Sequence, residues 1–413
     1  MLRRITLSRV ECSPVVLKRL FNLLVAMTLI VSAPVVFTGC DSGTAIVTDN
    51  ESNDGDEGEN DGDGNTSPWN ALGEGVCCLA LSEVYALALS DEGNVYVGGG
   101  FPNAGGVRVN RIALWDGSRW SALAAGLSGR VNAIVVDNEG ALYAGGGFFN
   151  SGTTTLRRIG RWNGETWSSL GGGFAQGLSV NDMTLSAEGD LYVAGNLIFG
   201  INPDGTYVGD LGGVGVFKWD SSEWSTLTDP DVTQGVAGIG GEVNTILIDD
   251  LGGVYAGGRF VLASGKTVNN VAYWNGETWS DLGGGVGGTV LSLALDNEGL
   301  VVSGSFNSAG NIVADNMARW NGSEWTPFAN ENPGARALAY GPDGRLYAGG
   351  YFSGELVSRW TGTEWEGIGS GPLSGSVTTM QFDPSGYLYV GGNFSAIDGV
   401  EANGVARWDG LVE

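Results

Sequence analysis

Histidine is absent from the chain. That removes Ser-His-Asp and Cys-His catalytic arrangements, histidine-ligated zinc or copper, and imidazole acid–base chemistry. Basic residues are scarce, 20 against 46 acidic ones, for a net charge of −26. A balance so negative argues against nucleic acid and anionic surfaces as partners, and it suits solubility or cationic ligands. Cysteine occurs four times, at Cys12, Cys40, Cys77 and Cys78. No Walker loop or dinucleotide fingerprint is present, because runs such as Gly98-Gly99-Gly100 end a strand rather than open a helix.

What the chain has instead is glycine, tryptophan and a repeat. Val131–Leu170 recurs with changes seven times, and six copies end in a paired-tryptophan hairpin such as Trp162-Asn163-Gly164-Glu165-Thr166-Trp167. The second-strand position falls at Tyr96, Tyr143, Tyr192, Tyr255, Val302, Tyr347 and Tyr389. A period of roughly 40 to 50 residues means a solenoid or a propeller. Each unit reads as four short strands. The first is a β-branched apolar run, Val131–Val136. A turn follows whose Gly recurs at Gly93, Gly140, Gly189, Gly252, Gly299, Gly344 and Gly386. The second strand runs into Gly145-Gly146, where backbones approach closely. An Asn-Gly or Asp-Gly turn joins the last two strands. Unit three reads Ala194-Gly195-Asn196 and is expected to lack the second glycine; unit five departs at Ser303-Gly304.

A four-stranded unit buries both faces only by stacking on its neighbours, and radial stacking of such units makes a propeller. Two tryptophans remain outside the hairpins. Trp69-Asn70-Ala71-Leu72 matches a fourth strand, and Ala406-Arg407-Trp408-Asp409-Gly410 matches a third strand and its turn. The expected fold is therefore all-β: a seven-bladed β-propeller of four-stranded blades, the last closed by the N-terminal strand.

At these residues the units resemble known propeller repeats. The order apolar strand, Gly-Gly, loop, aromatic, turn, Trp is similar to the kelch layout. The step Asp137-Asn138-Glu139-Gly140-Ala141-Leu142-Tyr143 resembles NHL-type repeats. The fuller pattern, G-G-x-F then A-R-W-[DN]-G-x-x-W, is similar to propellers of secreted bacterial surface proteins. The resemblance covers 68–413 and speaks for fold rather than function. Galactose oxidase shares a kelch-type propeller but needs histidine for copper, so that activity is excluded.

The N-terminus reads as an export signal over 1–39. Arg3, Arg4, Arg9, Lys18 and Arg19 precede an apolar stretch, Leu20–Phe37. Phe37-Thr38-Gly39-Cys40 resembles a bacterial lipobox, in which Cys40 is lipidated and tethers the chain to the membrane of the cell envelope; an uncleaved signal anchor is the alternative. Residues 40–67 form an acidic linker too polar to bury a core. Asp61-Gly62-Asp63 starts like an EF-hand loop but lacks its Gly and terminal Glu. No metal or cofactor is expected. Cys77-Cys78 are two small apolar residues under a crossover or, in an oxidising compartment, a vicinal disulfide.

Acids repeated in nearly every blade, Asp91, Asp137, Asp250, Asp296, Asp343 and Asp383, read as turn residues rather than catalysts. The repeated tryptophans read as inter-blade packing, with a sugar-stacking platform as the alternative. Function is better sought where the repeat is broken. Unit three has a long second-to-third-strand loop, and the crossover after it is long too. Both fall on one face and side by side. They predict a raised lip over blades three and four, lined by Asp204, Tyr207, Asp210, Asp229 and Asp231, opposite a lowered rim at blade six. The expectation is a monomeric, membrane-anchored, non-enzymatic module binding protein or glycan at the cell surface. A carboxylate-based polysaccharide hydrolase or lyase and a structural envelope scaffold are the alternatives.

Overall fold

In the second blade, strands Val131–Val136, Leu142–Gly146, Ile159–Trp162 and Trp167–Ser168 pair antiparallel in sequence order. The same order recurs in every blade of a computed structural model. It describes residues 67–411 apart from 78–82, 210–214, 233–237, 329–333, 353 and 373–374. The expected signal, Cys40, most of the linker, Asp210, Cys78 and the side chain of Cys77 lie outside the described residues.

The seven first strands pack side by side in a closed ring, so they are the innermost layer. Closure is by a split blade: Ser376–Phe382, Leu388–Asn393 and Val405–Trp408 take Trp69–Ala71 as their fourth strand, with Trp69 opposite Trp408. This is the seven-bladed, all-β propeller that the repeat predicts.

The tryptophan hairpin is the unit of assembly. Asn163 closes its four-residue loop by accepting the N–H groups of Glu165 (3.0 Å) and Thr166 (2.8 Å), and Gly164 takes φ of +97°. The paired indoles tilt against each other in all seven blades, with centroids 5.1 to 6.4 Å apart, an arrangement worth about 0.5–1.5 kcal/mol beyond area burial. The second indole then reaches the preceding blade. Trp120, Trp167, Trp224, Trp279 and Trp325 donate Nε1–H to the carbonyls of Leu72, Leu123, Leu170, Leu227 and Leu282, and Trp69 donates to Ile368. Each acceptor lies three residues after the preceding blade's own second tryptophan. Six of the seven seams carry this staple. Trp365 breaks the series: its indole N–H is buried without a partner among the described residues.

The double glycine acts as the sequence suggests. A Cβ on Gly145 would stand 2.4 Å from Val180 of the next blade, and one on Gly146 would stand 2.1 Å from the Arg130 carbonyl of its own first strand. Unit three requires a correction. Gly195 keeps the second position, where a Cβ would stand 2.2 Å from the Ser179 carbonyl, and it is the first position that Ala194 fills.

The inner ring carries a feature the apolar run conceals. Six first strands bulge at an equivalent position, held among others by Asn132, Asn181, Asn244 and Thr378. Their side chains donate to the carbonyls of Val180, Val243, Val290 and Val84, each in the next blade. The bulge frees a polar side chain from the blade and ties it to its neighbour.

Candidate functional site

Antiparallel blades divide their connections between two faces. The loop face carries the second-to-third and fourth-to-first connections; the turn face carries the two tight turns. Nine large apolar side chains stand exposed among the described residues. Eight belong to the loop face: Val107, Phe149, Leu178, Tyr207, Val261, Leu262, Val313 and Tyr351. Only Leu251 sits on the turn face.

The two insertions behave differently from one another. Gly173–Leu185 and Leu191–Ile201 pair far beyond the blade and continue through a hairpin into Tyr207–Gly209, so the loop of unit three is an extension of its sheet. Asp204 sits in the hairpin turn and accepts the Thr206 hydroxyl (2.7 Å) and N–H (2.9 Å), which hold its carboxyl below the usual range. Tyr207 is 65% exposed, edge-on to Phe199. Asp229, by contrast, is buried. Its carboxylate accepts the Trp279 N–H (2.8 Å) and pairs with Lys266 Nζ (2.7 Å), so it fastens the long crossover to blade four. Asp231 is exposed two residues on. Asp204 and Tyr207 thus share the hairpin tip, while Asp229 is committed to holding a fold contact.

On the inner ring, Glu83, Tyr85, Arg130 and Arg336 gather at the loop-face end of the first strands. Tyr85 donates to Glu83 (2.7 Å), Arg130 lies over the Tyr85 ring (4.8 Å), and Arg336 stands 3.9 Å from Glu83. Deeper in the ring, Asp182 occupies a position held by alanine, serine or threonine in the other blades. Its residue keeps some exposure, but its carboxyl group is enclosed between blades three and four. It accepts the N–H groups of Ile246 and Met183, both at 2.8 Å. Burial pushes this carboxyl up to about 6, with those bonds and Thr245 pulling against it.

The turn face is built from the repeated acids. Asp137 takes the N–H groups of Glu139 and Ala141 on one oxygen and the Tyr143 hydroxyl on the other. Asp383 accepts Ser385 and Tyr387 N–H groups, and Asp296 those of Glu298 and Gly299. Two positions shift by one residue from the sequence reading: the turn acceptors are Ser90 rather than Asp91, and Asp249 rather than Asp250. Asp343 bonds Arg345 N–H and Tyr347 hydroxyl. The tyrosines pay in acidity for these partners: burial, then Asp249, raises Tyr273 to about 12. Between blades this face is cut by grooves. One of about 620 Å³ runs between blades two and three and one of about 460 Å³ between blades five and six. Neither groove is foreseen from the sequence, because each joins a turn of one blade to a tryptophan of the next.

The chain matches no family model and no curated protein. Solved structures similar to it are propellers. The extracellular domain of a protein described as a hybrid two component system of B. thetaiotaomicron aligns with TM-score 0.54 at 12% identity, covering 82% of this chain and 39% of that one. The WD40 propeller domain of Doa1 aligns with TM-score 0.51 at 11% identity, covering 82% and 95%. A catalytically inactive virginiamycin B lyase from Staphylococcus aureus aligns with TM-score 0.51 at 13% identity, covering 82% and 98%. These likenesses define the class, a seven-bladed β-propeller with neighbours among extracellular domains. At such identities they carry fold and not activity.

Proposed function

We propose that this chain is an exported, lipid-anchored propeller of kelch- or NHL-like repeats that binds a protein partner through its loop face and does no catalysis. The observation that carries the reading is the division of exposed apolar side chains, eight on the loop face against one on the turn face. Apolar surface left facing water in this one-sided way marks an interaction surface. Six of the eight are Val, Leu or Phe, shapes that fit a protein surface better than a sugar hydroxyl. The repeated carboxylates, engaged as turn acceptors, speak for a non-enzymatic role. Asp204 and Tyr207 at the tip of the raised hairpin form the polar edge of the surface, and an acyl chain at Cys40 behind the linker keeps it at the envelope.

The test uses the full chain, solubilised and immobilised, with solubilised envelope proteins and a glycan array as ligands. Serine at Phe149, Leu178, Tyr207 and Val261 together should abolish a saturable protein interaction that Leu251→Ser leaves intact. Equal retention by the two variants would sink the loop-face reading. Cys40→Ala should separately lose incorporated labelled palmitate and shift the chain to the soluble fraction.

A further inference from the structure

Two of the turn-face grooves contain matched sets of side chains, which a third, between blades one and two, lacks. Between blades two and three stand Asp137-Asn138-Glu139, Arg161 and Trp219; between blades five and six stand Asp296-Asn297-Glu298, Arg319 and Trp360. The residues are equivalent in the repeat: the same acidic turn, the arginine of the third strand, and the first tryptophan of the next blade. Common ancestry of the repeats does not explain the match, because the other blades do not keep it. Blade one pairs Ser90-Asp91-Glu92 with Leu114, blade three pairs Ser186-Ala187-Glu188 with Lys218, and blade four pairs Asp249-Asp250-Leu251 with Tyr273; blades six and seven keep the arginine, as Arg359 and Arg407, but not the turn, which reads Gly341-Pro342-Asp343 and Asp383-Pro384-Ser385.

Each set is held in place. Arg161 donates to the Tyr143 hydroxyl (3.2 Å) and lies over that ring; Arg319 pairs with Asp296 (2.6 Å) and Glu298 (3.0 Å) and lies over Phe328. Asn138, Glu139, Asn297 and Glu298 are exposed. Trp219 and Trp360 keep part of their surface open, as Trp115 and Trp320 do in the same hairpin position, whereas Trp162, Trp274 and Trp408 there are buried.

From these observations we propose that the two grooves are saccharide subsites, each taking a segment of a neutral glycan. Both signs of charge already face one another in each groove, so a charged ligand meets its own sign as well as the opposite one. A polyol does not: its hydroxyls donate to the carboxylates and amide oxygen and accept from the guanidinium and amide N–H groups. Its apolar ring face covers the open indole. The volumes fall in the range of small-molecule sites, about 300–1,000 Å³. Two like grooves three blades apart suit a ligand that itself repeats. The site lies opposite the loop face and stands or falls independently of the protein-binding reading.

The experiment is calorimetry of the full chain in detergent with cellohexaose, laminarihexaose, mannohexaose, xylohexaose and chitohexaose. At least one is expected to bind with two sites per chain and to change tryptophan fluorescence. Asn138→Ala with Glu139→Ala should reduce the stoichiometry to one, and adding Asn297→Ala with Glu298→Ala should weaken binding at least tenfold while the melting temperature holds. Tyr207→Ser should change nothing. Heat from none of the five, or undiminished binding by the four-site variant, overturns the proposal.

Discussion

Two seams of the ring solve the same packing problem differently. Between blades three and four, Trp279 staples to Leu227, Asn181 reaches the Val243 carbonyl, Asp182 takes the Ile246 N–H, and the crossover's Asp229 holds both Trp279 and Lys266. Between blades five and six the staple is missing. Its acceptor position, Leu or Ile elsewhere, is Phe328, whose ring sits 5.2 Å from Trp360 and 6.0 Å from Trp365. Hydrogen bonds donated by Tyr340 to Asp296, by the Leu338 N–H to Ser292 and by Ser303 to the Ala335 carbonyl hold this seam instead. The inserted seam has acquired its own polar fastenings. The seam without an insertion lost a repeated bond and kept aromatic packing in its place.

The closing blade sets the upper scale for both. Trp69 is fully buried and reaches Ile368 across a seam. Trp69→Ala should cost about 4 kcal/mol in denaturant unfolding, and a much smaller loss would mean that the terminal strand is not the clasp. At the inserted seam, Asp229→Ala strands the Trp279 N–H and takes the ion pair from Lys266, which keeps only its bond to the Trp279 carbonyl. Because Lys266 is 49% exposed, the expected cost is about 2–3 kcal/mol, below that of a fully buried pair. Asp231→Ala, two residues away and exposed, should cost nothing measurable.

Asp182 makes the inserted seam pH-sensitive. Its folded value, about 6, lies above the ordinary carboxylate value of 3.8. The folded chain therefore holds this proton where the unfolded chain has lost it. Its contribution is complete below about pH 4, declines as pH rises to about 6, and is flat beyond, for a total on the order of 3 kcal/mol. The difference between the parent and Asp182→Asn melting curves should show that slope, and a difference that does not vary across this window would refute the assignment.

How much of this was legible follows from the period of each signal. The blades, their number and the clasp were readable because tryptophan and glycine recur at fixed positions, and the spare Trp69 and Trp408 fit only as partners. The turn role of Asp137, Asp296 and Asp383 was readable for the same reason. Asp229 was not, since a buried ion pair with Lys266 depends on how a non-repeating crossover folds back onto the next blade. The bulged Asn132, Asn181 and Asn244 hid inside a run that reads as apolar strand, because a bulge changes which way one side chain faces without changing the pattern around it. The grooves needed a comparison between turns in one blade and tryptophans in the next, a relation only stacking creates.

The finest contrast between seams is a single atom. Trp325→Phe removes the Nε1–H that bonds Leu282 (2.6 Å) and leaves that carbonyl without it. The net loss should be about 1 kcal/mol. Trp365→Phe makes the identical change at the equivalent position, but there the N–H is already buried and without a partner among the described residues, so nothing is broken and a desolvation penalty is relieved. Trp365→Phe should therefore be neutral or slightly stabilising in a urea titration where Trp325→Phe shifts the midpoint down. The same ring volume is lost from a buried site at Trp325 and a half-buried one at Trp365, so Trp325→Leu against Trp365→Leu measures the packing share of the difference. Equal shifts would mean that the indole N–H groups do not hold the seams, and that ring packing alone accounts for the regularity of the propeller.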